Sequence, residues 1–166
     1  MSPDLEIREA TLWDAVGLAG AIRPNDRAEV HAITGERVFD AVAEGLLSSA
    51  EAWTAAVDRV VMAMWGVQPV GRESILGPRI GVVWLLTTEL VDRYPSLFWR
   101  QSKAQLRALF DRWDLLTNVV DARYAAALRW VHRLGFRLSK PEPMGVLGLD
   151  FVSATARLED LQWVHR

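Results

Sequence analysis

The sequence predicts one α/β domain that spans residues 1–166, with residues 155–166 as a C-terminal tail. A chain of 166 residues lies within the usual size of a single domain and can bury a core. The composition, 51% hydrophobic and 24% charged, is that of an ordinary globular protein. The C-terminal half alternates apolar strand patterns with amphipathic helix patterns, which is typical of the α/β class.

Charge and composition exclude several kinds of function. The net charge of −2, from 19 basic and 21 acidic residues, gives no electrostatic argument for nucleic acid or an anionic membrane, although a local basic patch is compatible with it. The chain has no cysteine, which excludes disulfides and thiolate chemistry, and its three histidines share no metal-ligand spacing. The N-terminal residues lack a signal-peptide pattern, and no apolar run approaches the ~20 residues of a membrane helix. We therefore expect a cytoplasmic protein without a metal or a membrane segment.

The N-terminal half predicts a strand, two helices and a hairpin. Leu5–Ala10 alternates apolar and charged residues, and Thr11 with Asp14 forms a helix-start signal. The first helix should end at Pro24, because a proline disfavours helical geometry in the preceding residue. The predicted elements are a strand over 5–10, a helix over 11–23, a polar stretch over 25–35, a helix over 38–47, and strands near 52–57 and 60–67 joined at Asp58–Arg59.

The C-terminal half begins with a glycine- and proline-rich loop over 68–79 and a nearly continuous apolar run over 80–88. Such runs suit a central strand that is covered on both faces. Pro95 suits the first position of a long helix, and Gly135 suits the residue that ends a later one. The remaining predicted elements are a helix over 95–113, a strand over 115–120, a helix after Asp121 as its cap, a strand over 136–138, a turn over 140–143, a strand over 145–152, and a short amphipathic helix in the tail.

This order of elements, together with the segment Ala127–Phe136, resembles the GNAT superfamily of acyl-CoA-dependent N-acyltransferases over residues 5–153. The segment matches that family's "A-I-x-x-Y-x-x-x-G-F" helix ending. More narrowly, Arg23–Val30, Trp84–Thr88 and Val120–Ala122 are similar to the GNAT-like proteins of tailed phages, which include small internal virion proteins. The resemblance implies a mixed, mostly antiparallel sheet of about six or seven strands with about four helices. It also implies a splayed cleft for the cofactor.

For ligands, the resemblance implies acetyl-CoA and a primary amine acceptor, which could be a modified nucleobase, a protein or a small molecule. The pantetheine arm would pair with the backbone of Leu85, Leu86 and Thr87. The pyrophosphate would lie at the amino end of the following helix, where unpaired N–H groups attract negative charge. The donors that the resemblance assigns to it are side chains of Arg93, Ser96 and Arg100.

The catalytic candidates are Glu29, Asp26 and Tyr124. Either carboxylate, or His31 beside them, could remove a proton from an ammonium substrate, and the alternative is an ordinary salt-bridged loop. Tyr124 could donate a proton to the leaving thiolate, or it could simply pack on the core. The family's usual tyrosine aligns with Val131, which cannot do acid chemistry.

Two alternatives stay open. The family's glycine-rich phosphate loop is replaced by Glu89–Leu97, which contains no glycine. Together with Val131, this departure favours a non-catalytic GNAT-fold protein, either a phage virion component or a binder of a host factor. A basic and aromatic stretch, Phe98–Lys103, is also compatible with stacking on nucleic-acid bases, although one amphipathic helix predicts the same residues.

Overall fold

In the computed structural model, residues 3–71 and 77–163 are described. The strands are β1 Leu5–Glu9, β2 Glu51–Val57, β3 Val60–Pro69, β4 Ile80–Thr87, β5 Leu115–Asp121, β6 Arg137–Met144 and β7 Leu149–Ala156. The helices are α1 Leu12–Ala21, α2 Pro24–Thr34, α3 Val38–Ser48, α4 Leu90–Arg93, α5 Pro95–Leu109 and α6 Ala125–Leu134. A 3-10 turn, Leu158–Asp160, follows β7. Part of the predicted 68–79 loop, and the last three residues of the tail, lie outside the described residues.

The strands form one seven-stranded sheet in the order β1-β2-β3-β4-β5-β7-β6. β4 and β5 are parallel, whereas β1 with β2, β2 with β3, β5 with β7 and β6 with β7 are antiparallel. β4 is therefore the central strand, as its apolar run predicted. The mixed, mostly antiparallel α/β sheet of the predicted size is confirmed. Among the described residues, no helix combines the length and the hydropathy needed to cross a membrane.

The chain divides into two compact units. The first comprises Met1–Gln68 and Val83–Pro95, and its core lies between α1, α3 and the sheet. Apolar residues at helical spacing supply this core, and their burial is the main stabilising term. Its buried members are Ala15, Leu18, Ile22, Val30, Val38, Val42, Met64 and Leu86.

Local signals place α1 and the β2–β3 hairpin of the first unit where they were predicted. Thr11 caps α1 through a reciprocal pair of hydrogen bonds with Asp14. The β2–β3 hairpin turns at Asp58 and Arg59, which have φ values of 49° and 68°. Two consecutive left-handed residues match the right-handed twist of the strands they join. The first helix and the hairpin are thus confirmed.

The polar stretch 25–35 is a helix, which the sequence analysis did not predict. Pro24 lies in its first turn, and Gly35, with φ of 74°, ends it. Val30 and Ala32 are the buried residues among its 11. Because so little of α2 is apolar, no helical stripe is visible in the sequence, and only the proline and the glycine mark its ends.

The second unit comprises Pro69–Val82 and Ser96–Arg166. Several predictions within it were wrong. The helix predicted over 95–113 ends at Leu109, and the strand predicted over 145–152 lies at Leu149–Ala156. Asp121 does not cap α6; it is the fully buried last residue of β5, and Tyr124 is the N-cap. The predicted turn at 140–143 is part of β6, which passes through Pro141 and Pro143 and turns instead at Gly145–Gly148. Both prolines are tolerated because β6 is the edge strand of the sheet.

Candidate functional site

The carboxyl-terminal part of β4 is the first feature of the candidate site. The pairing of β4 with β5 covers Ile80↔Leu115 to Val82↔Thr117, although β4 continues to Thr87. The amide of Thr88 donates to the carbonyl of Met62 on β3. Because backbone groups alternate direction along a strand, the N–H and C=O groups of Leu85 point to the edge away from β3.

Asp26 on α2 holds the end of β4. Its Oδ2 accepts hydrogen bonds from the Thr87 amide at 2.7 Å and from the Thr87 hydroxyl at 2.6 Å. The Thr87 carbonyl accepts from the amide of Arg23 at 3.0 Å. Thr87 therefore uses both of its backbone groups within the chain. Three strand residues were predicted to pair with pantetheine. The backbone of Leu86 faces β3 and that of Thr87 is already bonded, so Leu85 is the one whose N–H and C=O groups face the edge away from β3.

Opposing effects act on the pKa of the Asp26 carboxyl. Burial raises the pKa of the Asp26 carboxyl above its ordinary value, although the hydrogen bonds from Thr87 and the charge of Arg23 act to lower it. The nearby Asp92 carboxylate contributes in the same direction as burial, and it pairs with Arg23 at 3.6 Å. Glu29 lies three positions further along α2, so the two half-buried carboxylates share one face of the helix.

The segment Glu89–Leu97, which the resemblance aligns with a glycine-rich loop, contains the short helix α4. Its five consecutive amides, from Leu90 to Tyr94, all donate to oxygens of the segment Thr88–Leu90. A loop that binds phosphate needs amides that point outward to the anion. These amides are already bonded, so Arg93, which is exposed, offers its side chain rather than its backbone.

The start of α5 presents a different set of donors. The first-turn amides of a helix have no partner four residues earlier, and Pro95 has no N–H at all. The first turn contains no acidic residue, and Ser96 is exposed there. Arg100 is exposed one turn later. The start of α5 therefore combines the exposed side chain of Ser96 with the positive charge of Arg100 one turn later.

Tyr124 and Val131 both belong to α6 and its N-cap, but their surroundings differ. Tyr124 is half-buried, its amide donates to the Asp121 carbonyl at 3.0 Å, and the Arg123 guanidinium lies 5.7 Å from its ring. Val131 is 4% exposed and belongs to the core. At the position where the resemblance places a tyrosine, this chain therefore has a valine that packs in the core.

Two further residues bear on the site. Trp84 on β4 packs against Gly66 and donates from Nε1 to the Ser49 hydroxyl at 2.9 Å. Asn118 on β5 was not predicted as a site residue. Its side-chain oxygen accepts a hydrogen bond from the Val119 amide at 2.7 Å. This bond takes the amide two positions beyond Thr117, the last residue of β5 that pairs with β4. The available signal was an asparagine inside an otherwise apolar strand.

Comparison with known proteins shows the fold. No protein-family model and no curated protein matches the sequence. Among solved structures, an aminoglycoside N(6')acetyltransferase from Legionella pneumophila has a TM-score of 0.70 and 11% identity, over 99% of this chain and 98% of that one. A ribosomal-protein-alanine N-acetyltransferase from Brucella melitensis has a TM-score of 0.68 and 16% identity, over 92% and 99%.

A third similar structure is yncA from Salmonella typhimurium with its cofactor acetyl-CoA, which has a TM-score of 0.62 and 17% identity over 93% of this chain and 94% of that one. Each alignment spans nearly the whole of both chains at low identity. The chain therefore has the GNAT fold, as the resemblance implied.

Proposed function

We propose that this protein is an acyl-CoA-dependent N-acyltransferase, which transfers acetyl from acetyl-CoA to a primary amine. The observation that carries the proposal is the end of β4, where the strand continues beyond its pairing with β5. Leu85 there offers an N–H and a C=O to a ligand that pairs as an added strand. The GNAT fold and the acetyltransferase names of the structural neighbours support the same conclusion.

The residues fit the pantetheine arm and the phosphates of acetyl-CoA unequally. The backbone edge at Leu85 suits the amide groups of the arm. The amides of α4 are bonded within the segment, so we assign the pyrophosphate to the first turn of α5, with side-chain donors from Arg93, Ser96 and Arg100. Side-chain donors would therefore bind the phosphates that the backbone amides of a glycine-rich loop would otherwise bind.

Acetyl-CoA would supply an acyl carbon that an amine nitrogen attacks, so that a C–N bond forms and the C–S bond breaks. We assign Glu29, which lies on the same face of α2 as Asp26, as the base that takes the ammonium proton. Asp26 holds Thr87 through Oδ2. Asp26 then acts as a positioning residue that fixes α2 at the end of β4. Tyr124 is the candidate donor of a proton to the departing thiolate.

A non-catalytic role, such as a phage virion component or a host-interaction protein, is the alternative. It is favoured by the buried Val131 at the family's tyrosine position and by the bonded amides of α4. Such a protein would bind neither acetyl-CoA nor an amine acceptor. The two functions therefore differ in whether the protein binds acetyl-CoA, which can be measured.

Isothermal titration with acetyl-CoA tests the proposal. We expect saturable binding that Arg100→Glu weakens about tenfold, because the substitution places negative charge beside the proposed phosphates. Arg107→Glu, two turns further along α5, is the matched control and should bind like wild type. Glu29→Gln should bind acetyl-CoA normally and acetylate amines more slowly. No binding of acetyl-CoA at millimolar concentration would leave the non-catalytic role.

A further inference from the structure

Helices α5 and α6 carry only positive charge. α5 contains Arg100, Lys103 and Arg107, α6 contains Arg129 and Arg133, and neither helix contains an aspartate or a glutamate. The chain as a whole has a net charge of −2. Positive charge is therefore concentrated on these two helices of the second unit.

Most of this charge is not neutralised within the protein. Arg107 pairs with Asp111 at 2.8 Å, but Arg100, Lys103, Arg129 and Arg133 form no ion pair with any residue in the described ranges. Elsewhere arginines commonly have a carboxylate partner, as Arg8 has in Asp14. Cations without such a partner remain available to an external anion.

Two tryptophans lie among these cations. The Trp99 ring has the Lys103 ammonium 5.7 Å and the Arg133 guanidinium 4.9 Å from its centroid. The Trp163 ring lies 5.6 Å from the same ammonium, and its Nε1 donates to the Leu134 carbonyl at 2.9 Å. The contacts join α5, α6 and the C-terminal turn into one surface. The cation–indole surface is defined by Trp99, Lys103, Arg133 and Trp163, together with Arg129, which lies one turn before Arg133 on the same face of α6.

A groove of about 910 Å³ opens beside this surface and shares Arg133 and Trp163 with it. Phe136 forms an apolar part of its wall. Arg137, which also lines it, is paired with Asp160, so the remaining Arg and Glu side chains of the lining are Arg133 and the exposed Glu159. The volume lies in the range of pockets that hold small organic ligands. An unstacked base is therefore small enough to enter.

We propose that the cation–indole surface and its groove bind single-stranded nucleic acid. Lys103, Arg129 and Arg133 would contact successive phosphates, and a base would stack on the Arg133 guanidinium or the Trp163 indole. Arginine resting on an aromatic ring offers a flat face as well as a charge. This function goes beyond acyl transfer and uses none of the residues assigned to catalysis.

Other polyanions fit these features less well. Membrane association requires several exposed apolar side chains next to the cations. In the described part of the second unit the exposed large apolar residues are Val70, Leu138, Val146 and Leu147, and of these only Leu138 lines the groove. An acidic protein segment would use the cations but has no need of the aromatic groove. Nucleic acid uses both the charges and the stacking faces.

Fluorescence anisotropy with a labelled single-stranded oligo(dT) tests the proposal. We expect binding whose affinity falls roughly 20-fold between about 50 and 200 mM salt, as about three phosphate contacts require. Arg129→Glu/Arg133→Glu should weaken binding at least tenfold at low salt. The matched control is Arg59→Glu/Lys140→Glu, which changes the charge equally at exposed sites that form no ion pair with any described residue, and it should bind like wild type. Arg129→Gln/Arg133→Gln repeats the test if the glutamate variant does not fold.

Three results would overturn the proposal: no binding at about 50 mM salt, equal losses in the two double variants, or displacement of the oligonucleotide by polyglutamate as readily as by unlabelled oligo(dT). Saturating acetyl-CoA separates this surface from the proposed cofactor site. Unchanged oligonucleotide binding supports a separate surface, whereas competition would assign these arginines to acetyl-CoA. If acetyl-CoA does not bind at all, the acyltransferase proposal fails and the nucleic-acid proposal is still decided by the salt dependence and the variants.

Discussion

Asp14 illustrates how one side chain can serve two structural purposes. Its carboxylate completes the cap of α1 with Thr11 and accepts two hydrogen bonds from Arg8, at 2.7 and 2.6 Å. Burial alone would raise its pKa, but the bonds from Arg8 and Thr11 outweigh burial and lower the pKa to about 2. Asp14 is 5% exposed, so solvent screens this pair weakly.

Asp14→Asn should destabilise the protein by roughly 2 kcal/mol near pH 7, because the native pKa lies below the unfolded value of 3.8. The contribution is fully present above 3.8 and is lost as pH falls toward 2. Urea unfolding of both proteins across this range measures the difference. Asp40→Asn, which breaks the exposed pair with Arg37, is the control and should change stability by less than about 0.5 kcal/mol. A constant difference at all pH values would contradict the linkage.

Asp26 should show the opposite pH dependence. Its pKa is raised in the folded protein, so the unfolded chain releases its proton first as pH increases. The stability of wild type relative to Asp26→Asn should therefore fall as pH rises from about 4 toward 7. Urea unfolding of the two proteins at both pH values checks this sign. A relative stability that rises with pH would mean that the Thr87 hydrogen bonds dominate burial.

At the scale of elements, the end of α6 fixes the C-terminal turn. Gly135 has φ of 110°, and a Cβ built there would lie 2.8 Å from Leu161 Cδ2 and 3.0 Å from the Asp160 carbonyl. Both the backbone geometry and the close approach require glycine. The segment Leu158–Asp160 therefore packs directly on the end of α6.

Gly135→Ala should cost about 3 kcal/mol, from left-handed strain together with the clash. Gly148→Ala is a matched control, because Gly148 has φ of 60° but nothing within 4 Å of the added Cβ. That control should cost about 1 kcal/mol, from backbone strain alone. Chemical denaturation of both variants gives the comparison. Equal costs would show that the C-terminal turn moves away from Gly135 without a penalty.

The predictability of elements followed the strength of their local signals. β4 and α5 were predicted because an apolar run and an amphipathic stripe extend over many residues. α2 and α4 were missed because α2 is mostly polar and α4 spans only Leu90–Arg93. A turn was wrongly predicted at 140–143 because Pro141 and Pro143 favour turns. In the structure both residues pair with β7 in the edge strand β6.

The candidate site was less predictable than the fold. The resemblance pointed to Asp26 and Thr87 separately, yet their hydrogen bond joins residues 61 positions apart. No local pattern reports a contact over that separation. The bonded amides of α4 were also invisible in sequence, which showed only that the glycines were missing.

For the whole molecule, ligand binding should appear as increased stability, because a ligand that binds only the folded state shifts the unfolding equilibrium. Acetyl-CoA at about 100 times its Kd should add ~2.7 kcal/mol and raise the Tm by roughly 5–10 °C. ATP shares adenine and phosphates but lacks the pantetheine arm that we place along Leu85. At the same concentration ATP should therefore produce a much smaller shift in thermal unfolding. Equal shifts with the two ligands would show that the phosphate donors alone bind them and that the edge of β4 has no part in recognition.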